Sequence, residues 1–174
     1  SLTDRDTQMA NKVIANDYEM DKMDKEIEEK CIKMLALRQP TAIDLRFITT
    51  AIKITGHLER IGDMAVNIAE KVVQLNEEPK LKPYIDLPHM SDMVEKMVAK
   101  ALDSLIKRDL QIADEVRKIE QQVDDLNEQI FRELLTFMME DSKSIHRALL
   151  IMHVSKNLER IADQAAKIAK LVLR

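Results

Sequence analysis

The sequence has no Trp, two Gly, four Pro and one Cys, and only 3% of its residues are aromatic. Such a shortage of β-forming aromatics and turn-making Gly excludes an all-β chain and leaves the Ala, Leu, Ile, Lys and Glu to build long helices. The lone Cys31 cannot close an internal disulfide; it reads as a small helix-core residue and fits a reducing compartment. Apolar runs are short, ALLIM at 148–152 being among the longest, far below the roughly 20 residues that cross a bilayer. No Gly-rich phosphate loop, Ser nucleophile elbow or Cys-x-x-Cys pair is present, so hydrolase, kinase and thiol-redox chemistry have no anchor. Positive charge is also lacking. The net charge is −4 and the basic residues are scattered among acids, which argues against nucleic-acid binding.

What is present is enough for a core. A chain of 174 residues, 45% of them apolar, can bury about 70% of its unfolded surface without staples. An internal repeat organises it. Arg5, Asp6, Gln8, Ala10, Val13 and Asp21 recur 103 residues on as Arg108, Asp109, Gln111, Ala113, Val116 and Asp124, while Leu58, Glu59, Arg60, Ile61 and Asp63 recur 100 residues on. The drop of three places an inter-helix turn in each repeat, at 38-RQPTAID-44 and 141-DSKS-144.

Apolar residues at helical spacing predict one helix from about Met9 to Leu37 and a second from Ile43 to Leu75, joined as a hairpin. Gln39-Pro40 ends the first and Thr41 caps the second. Residues 76–87, rich in Pro and without period, form a linker between a first repeat at 1–75 and a second at 88–174. A shorter helix starts near Pro88 and runs to Lys107, followed by helices over about 110–140 and 143–173. The expected fold is therefore all-α, two tandem antiparallel helical-bundle repeats. Ser1, Leu2 and Arg5 match Ser104, Leu105 and Arg108, so the first repeat lacks a counterpart of 88–103, its N-terminal helix. With no initiator Met, Ser1 is not expected to be the native start.

Four acidic pairs stand at i, i+4: Asp17/Asp21, Glu59/Asp63, Glu120/Asp124 and Glu159/Asp163. That spacing puts both carboxylates of a pair on one helix face about 6 Å apart. Counted from the turns, the two pairs of each hairpin fall at the same height, roughly 30 Å away at 1.5 Å per residue. Four carboxylates per hairpin are thus expected to converge, and like charges so gathered call for a cation; hard oxygen donors suit Mg²⁺, Mn²⁺, Ca²⁺ or iron. The plainer alternative is a solvated acidic face paired with Arg60 and Arg160. Asn67 and Glu70 extend the first set, whereas Lys167 and Lys170 stand at the same places in the second. An ammonium cannot ligate a cation, so the second site should be weaker. None of the four His is in a Glu-x-x-His pair, which disfavours a di-iron oxidase. The eleven Met residues read as adaptable core filling.

These residues resemble the PhoU family, accessory regulators of bacterial phosphate-specific transport. The resemblance is carried by 44-DLRFITTAIKITGHLERIGDMAVNIAE-70, 82-KPYIDLP-88, 130-IFRELL-135, 158-LERIAD-163 and the two-fold repeat. It implies two three-helix bundles in a cytoplasmic, non-enzymatic protein that represses the phosphate-starvation response. It implies partners in the transporter's ATPase subunit and a sensor histidine kinase, with membrane complexes reached only through them, and a homodimer. It also implies metal clusters, of iron, zinc, manganese or magnesium, on Asp17, Asp21, Glu59, Asp63, Glu120, Asp124, Glu159 and Asp163. A metal-dependent enzyme using the carboxylate clusters is the alternative reading.

Overall fold

The computed structural model describes residues 4–38 and 41–173. Six α-helices follow in order: α1 Thr7–Ala15, α2 Asp17–Arg38, α3 Ala42–Glu77, α4 Asp86–Lys107, α5 Leu110–Glu140 and α6 Ile145–Lys170. Short 3₁₀ turns at Ser142–Ser144 and Leu171–Leu173 flank α6. The described residues contain no strand, and none of the helices is long and apolar enough to cross a membrane. The expected stop at Gln39-Pro40 and the Ser1 and Leu2 matches lie outside the described residues.

Each helix start has a local cause. Thr41 and Asp44 form a capping box at the head of α3, where the Asp44 N–H donates to Thr41 Oγ1 at 3.4 Å and the Thr41 N–H to Asp44 Oδ2 at 3.1 Å. Asp6 and Asp109, which are repeat equivalents, cap α1 and α5 by accepting from backbone N–H groups. The residue before each cap, Arg5 or Arg108, has φ of 54°, so the repeat extends to the left-handed turn that redirects the chain. Arg5 also ties α1 to the end of α3, donating to the Leu75 carbonyl at 3.3 Å, the Glu78 carbonyl at 2.6 Å and the Asn76 carbonyl.

One predicted helix is broken. The span Met9 to Leu37 divides at Asn16, whose N–H is shared by the carbonyls of Lys12 and Val13. Its repeat equivalent in the unbroken α5 is Ile119; Asn competes for backbone hydrogen bonds and interrupts helices. The link between α3 and α4 is shorter than the predicted 76–87, because α3 continues to Glu77 and α4 begins at Asp86 with Pro88 in its first turn. This segment is fastened from both sides: Glu78 faces His146 at 3.3 Å and Arg147 at 3.8 Å, Arg147 donates to the Pro79 carbonyl at 3.1 Å, and Lys82 pairs with Glu133.

The core is unevenly shared. Helix α6 is the central element, flanked by α3, α4 and α5, and its buried Ala162, Ala165, Ala166 and Ala169 allow close approach. Helix α4 lays Met90, Val94, Met97 and Ala101 into the same core. Between the halves, the His57 Nδ1 bonds Gln164 Oε1 at 2.8 Å. Around α1 and α2 the buried set is small: Ala10 with Ala69 and Val72, and Cys31. Val13, Met20 and Ile27 are 37–39% exposed, whereas their equivalents Val116, Val123 and Ile130 are 0–1% exposed. Helix α4 makes the difference, since no described helix lies over α1 and α2 as it lies over α5.

Candidate metal centre

The first acidic set lies along the seam of α2 and α3. Helix α2 approaches α3 closely here because Gly62 has no Cβ: one built there would meet Met20 Sδ and Cε at 2.9 Å. Asp63 follows Gly62 and Asp21 follows Met20, so this contact sets the two acids beside each other. One carboxylate oxygen each from Asp17, Asp21 and Asp63 lie within 4.8 Å of one another. Glu59 is on the same seam and electrostatically coupled to Asp63 and Asp21, outside that triad. Asn67 and Glu70 are exposed positions further along α3. Asp24, which the i, i+4 rule passed over, belongs to the field as well, because it acts on Glu59; a turn beyond Asp21, it was within reach of an i, i+3 reading.

Two acids of this seam on α3, Glu59 and Asp63, bind protons more tightly than usual. Desolvation raises Glu59, helped by repulsion from Asp63, Asp24 and Asp21. Desolvation likewise raises Asp63, with Asp17 and Asp21 adding repulsion. Among the described residues none of the three acids is in an ion pair, Arg60 acting on the neighbouring Glu59; the triad is a group of hard oxygens, a donor set that suits Mg²⁺, Mn²⁺ or iron, and with neither His nor Cys in it Zn²⁺ is the poorer fit.

The second set is arranged differently. No group of three His, Cys, Asp or Glu other than Asp17, Asp21 and Asp63 converges among the described residues. Glu120 and Asp124 on α5 face Glu159 and Asp163 on α6, and desolvation raises both α5 acids. Asp124 is raised further by Glu159 and Asp163; Glu120 is held back by Lys170. Lys156 Nζ lies 2.6 Å from Glu159 Oε2, too poorly aligned to donate a directed hydrogen bond to that buried oxygen. At the repeat-equivalent places of Lys156, Lys167 and Lys170 the first half has Gly56, Asn67 and Glu70. Lys156 was not singled out from the sequence, since it lies two residues before the identities that begin at Leu158.

Comparison with known proteins decides the family. The PhoU domain profile matches residues 1–72 and 87–172. The chain belongs to the PhoU family. It is 41% identical over 160 residues to the phosphate-specific transport system accessory protein PhoU homolog of Aquifex aeolicus, covering 92% of this chain and 72% of that protein. The crystal structure of PhoU from Pseudomonas aeruginosa superposes with a TM-score of 0.95 at 40% identity, covering 99% of this chain and 83% of that one. The phosphate transport system regulatory protein PhoU from Streptococcus pneumoniae is more distant in sequence, 28% identical, with a TM-score of 0.89 over 99% of this chain and 81% of that one.

For a PhoU-family chain carrying such acids, stability should depend on pH in a definite direction. Glu59, Asp63, Glu120 and Asp124 are raised in the fold. The stability they contribute is therefore full below their unfolded values and is lost as pH rises through the raised ones. As pH falls from neutrality toward the ordinary carboxylate range, metal-free protein is expected to melt at a progressively higher temperature. Asp44, lowered by its bonds to Thr41, works oppositely but only at more acid pH. Calorimetry in chelator tests this; a Tm that does not rise on acidification over that span would show that these four acids do not hold their protons more tightly in the fold.

Proposed function

We propose that this PhoU-family chain is a non-enzymatic regulator of phosphate uptake and of the phosphate-starvation response. In this reading it acts in the cytoplasm as a homodimer, through contact with the transporter's ATPase subunit and a sensor histidine kinase. The carrying observation is the near full-length similarity to proteins named as phosphate-specific transport accessory and regulatory proteins. Residues 1–75 and 88–174 are its two repeats, joined by 76–87, in keeping with the two stretches that the family profile matches. Val13, Met20 and Ile27 of the first repeat are left partly exposed, because no described helix covers them as α4 covers α5.

Within that function, Asp17, Asp21 and Asp63 would hold a hard divalent cation across the α2–α3 seam, with Glu59 beside them. The bound cation would supply the positive charge that removes their mutual repulsion and would fasten α2 to α3, whose apolar contact is thin. The alternative of a metal-dependent enzyme needs a concave, water-excluding site around an open metal position. Asp63 is exposed, and the cavity of about 450 Å³ between α5 and α6 is lined by none of the acids of either set.

Deleting the gene is expected to derepress phosphate-uptake genes in phosphate-rich medium, read as transcript levels. Expression that stays repressed would sink the regulatory reading.

A further inference from the structure

We propose that the α5–α6 seam of the second half is a docking groove for an amphipathic helix of a protein partner, one with apolar residues along one face and a Lys or Arg at one end. The inference rests on the reading that the chain works through protein partners, and it adds where such a partner sits and what it must look like.

A cavity of about 450 Å³ opens between α5 and α6, walled by Ile130, Phe131, Leu149 and Met152. Its polar floor is satisfied within itself, since Ser155 Oγ donates to Asn127 Oδ1 at 2.6 Å. Glu128, His153 and Lys156 also line it, and the rest of its wall is apolar. Phe131 and Leu149 are each 44% exposed, and one turn further from each the exposed Leu135 and Ile145 continue the track toward the inter-helix turn. Helix pairing does not require this surface. The equivalents of Phe131, Leu149 and His153 in the first half are Glu28, Thr49 and Lys53, and α2 and α3 still pack.

The charge at the acid-facing end of the groove selects the occupant. Toward the acids, Asp124 lies one turn before Asn127, and Glu159 one turn after Lys156. Lys156 is the counterion there, against Asp124, Asp125, Glu159 and Asp163, and repulsion from Glu159 and Asp163 acts on Asp124. A cationic side chain arriving at that end is favoured, whereas an anionic lipid headgroup is repelled. The rows Phe131/Leu135 and Ile145/Leu149 have i, i+4 spacing, the step at which a helix presents anchors to a groove. Helix α4 already shows that the α5–α6 pair accepts a helix, on its other side, through Met90, Val94, Met97 and Ala101.

The test uses two synthetic helical peptides of about sixteen residues with Leu at i, i+4, i+7 and i+11, one ending in two Lys and the other in two Glu. Binding to the full chain is read by fluorescence anisotropy. The Lys-ended peptide is expected to bind about tenfold or more tightly than the Glu-ended one. Phe131→Glu, and separately Leu149→Lys, should weaken it about tenfold. Phe47→Glu, at an exposed apolar position of the first half, should leave it unchanged. Equal binding of both peptides, binding of neither, or binding indifferent to both groove variants would overturn the proposal. So would dissociation of a dimer by Phe131→Glu without effect on the peptide, which would assign the groove to a second copy. Each of these is read in purified protein, so it is separable from the gene-expression test of the regulatory function.

Discussion

Asp63→Ala is expected to lower the affinity of the chain for Mn²⁺ or Mg²⁺ by about tenfold or more, and Asp163→Ala to leave it nearly unchanged. The two residues are repeat equivalents in nearly the same local sequence, LERIGD and LERIAD. Their surroundings differ in sign. Asp63 shares its seam with Asp17 and Asp21, one carboxylate oxygen of each lying within 4.8 Å of the others, and the neighbouring positions Gly56, Asn67 and Glu70 carry no positive charge. Around Asp163, Lys156 has taken Glu159 into an ion pair and Lys170 acts on Glu120. A divalent ion entering there would have to displace the Lys156 ammonium and would be opposed by the charge of Lys170. Hard-cation affinity rises with the number of charged oxygens that can reach the ion, so the first seam is the one to fill. Elemental analysis of the two purified variants, with a calorimetric titration of each, decides it. Equal losses, or a larger loss from Asp163→Ala, would show that the lysines do not set occupancy. A corollary follows for Lys156→Gly combined with Lys170→Glu, which should give the second seam measurable metal affinity.

Much of this geometry could be read without coordinates, and what could not has a physical reason. Offsets of 103 and 100 located the hairpins, and the equal counts from each turn brought Asp17 and Asp21 to the height of Asp63. The same arithmetic set Glu120 and Asp124 opposite Glu159 and Asp163, which the structure also places across one seam. Counting residues gives height along a helix. It does not give distance across a seam, which depends on what packs between the backbones. In the first half that is Gly62 under Met20; in the second, Ala162 and Val123 stand there. Nor does periodicity reveal a one-residue interruption such as Asn16, whose flanking apolar residues keep helical spacing. The packing of α3 on α6, which joins the halves through Leu58, Ile61 and Met64, had no signal in the repeat, because an interface between repeats is not itself repeated.

The other large effect expected is in stability, and it follows from the uneven core. Ile130→Ala should destabilise the chain by about 2–5 kcal/mol, the usual range for truncating a buried aliphatic side chain. Its equivalent, Ile27→Ala, should cost about 1 kcal/mol or less, because a side chain left partly in water loses less transfer free energy and leaves no closed cavity. The contrast is informative because residue type, helix and repeat position are the same in both; only coverage differs. Ile130 is 1% exposed beneath a core to which α4 contributes Met90 and Met97, whereas Ile27 is 38% exposed on α2. Urea denaturation of the two variants measures the difference as a shift in midpoint at unchanged m. Similar losses would mean that Ile27 is as deeply covered in solution as Ile130, and that a further helix, from this chain or from another copy, lies over α1 and α2 as α4 lies over α5.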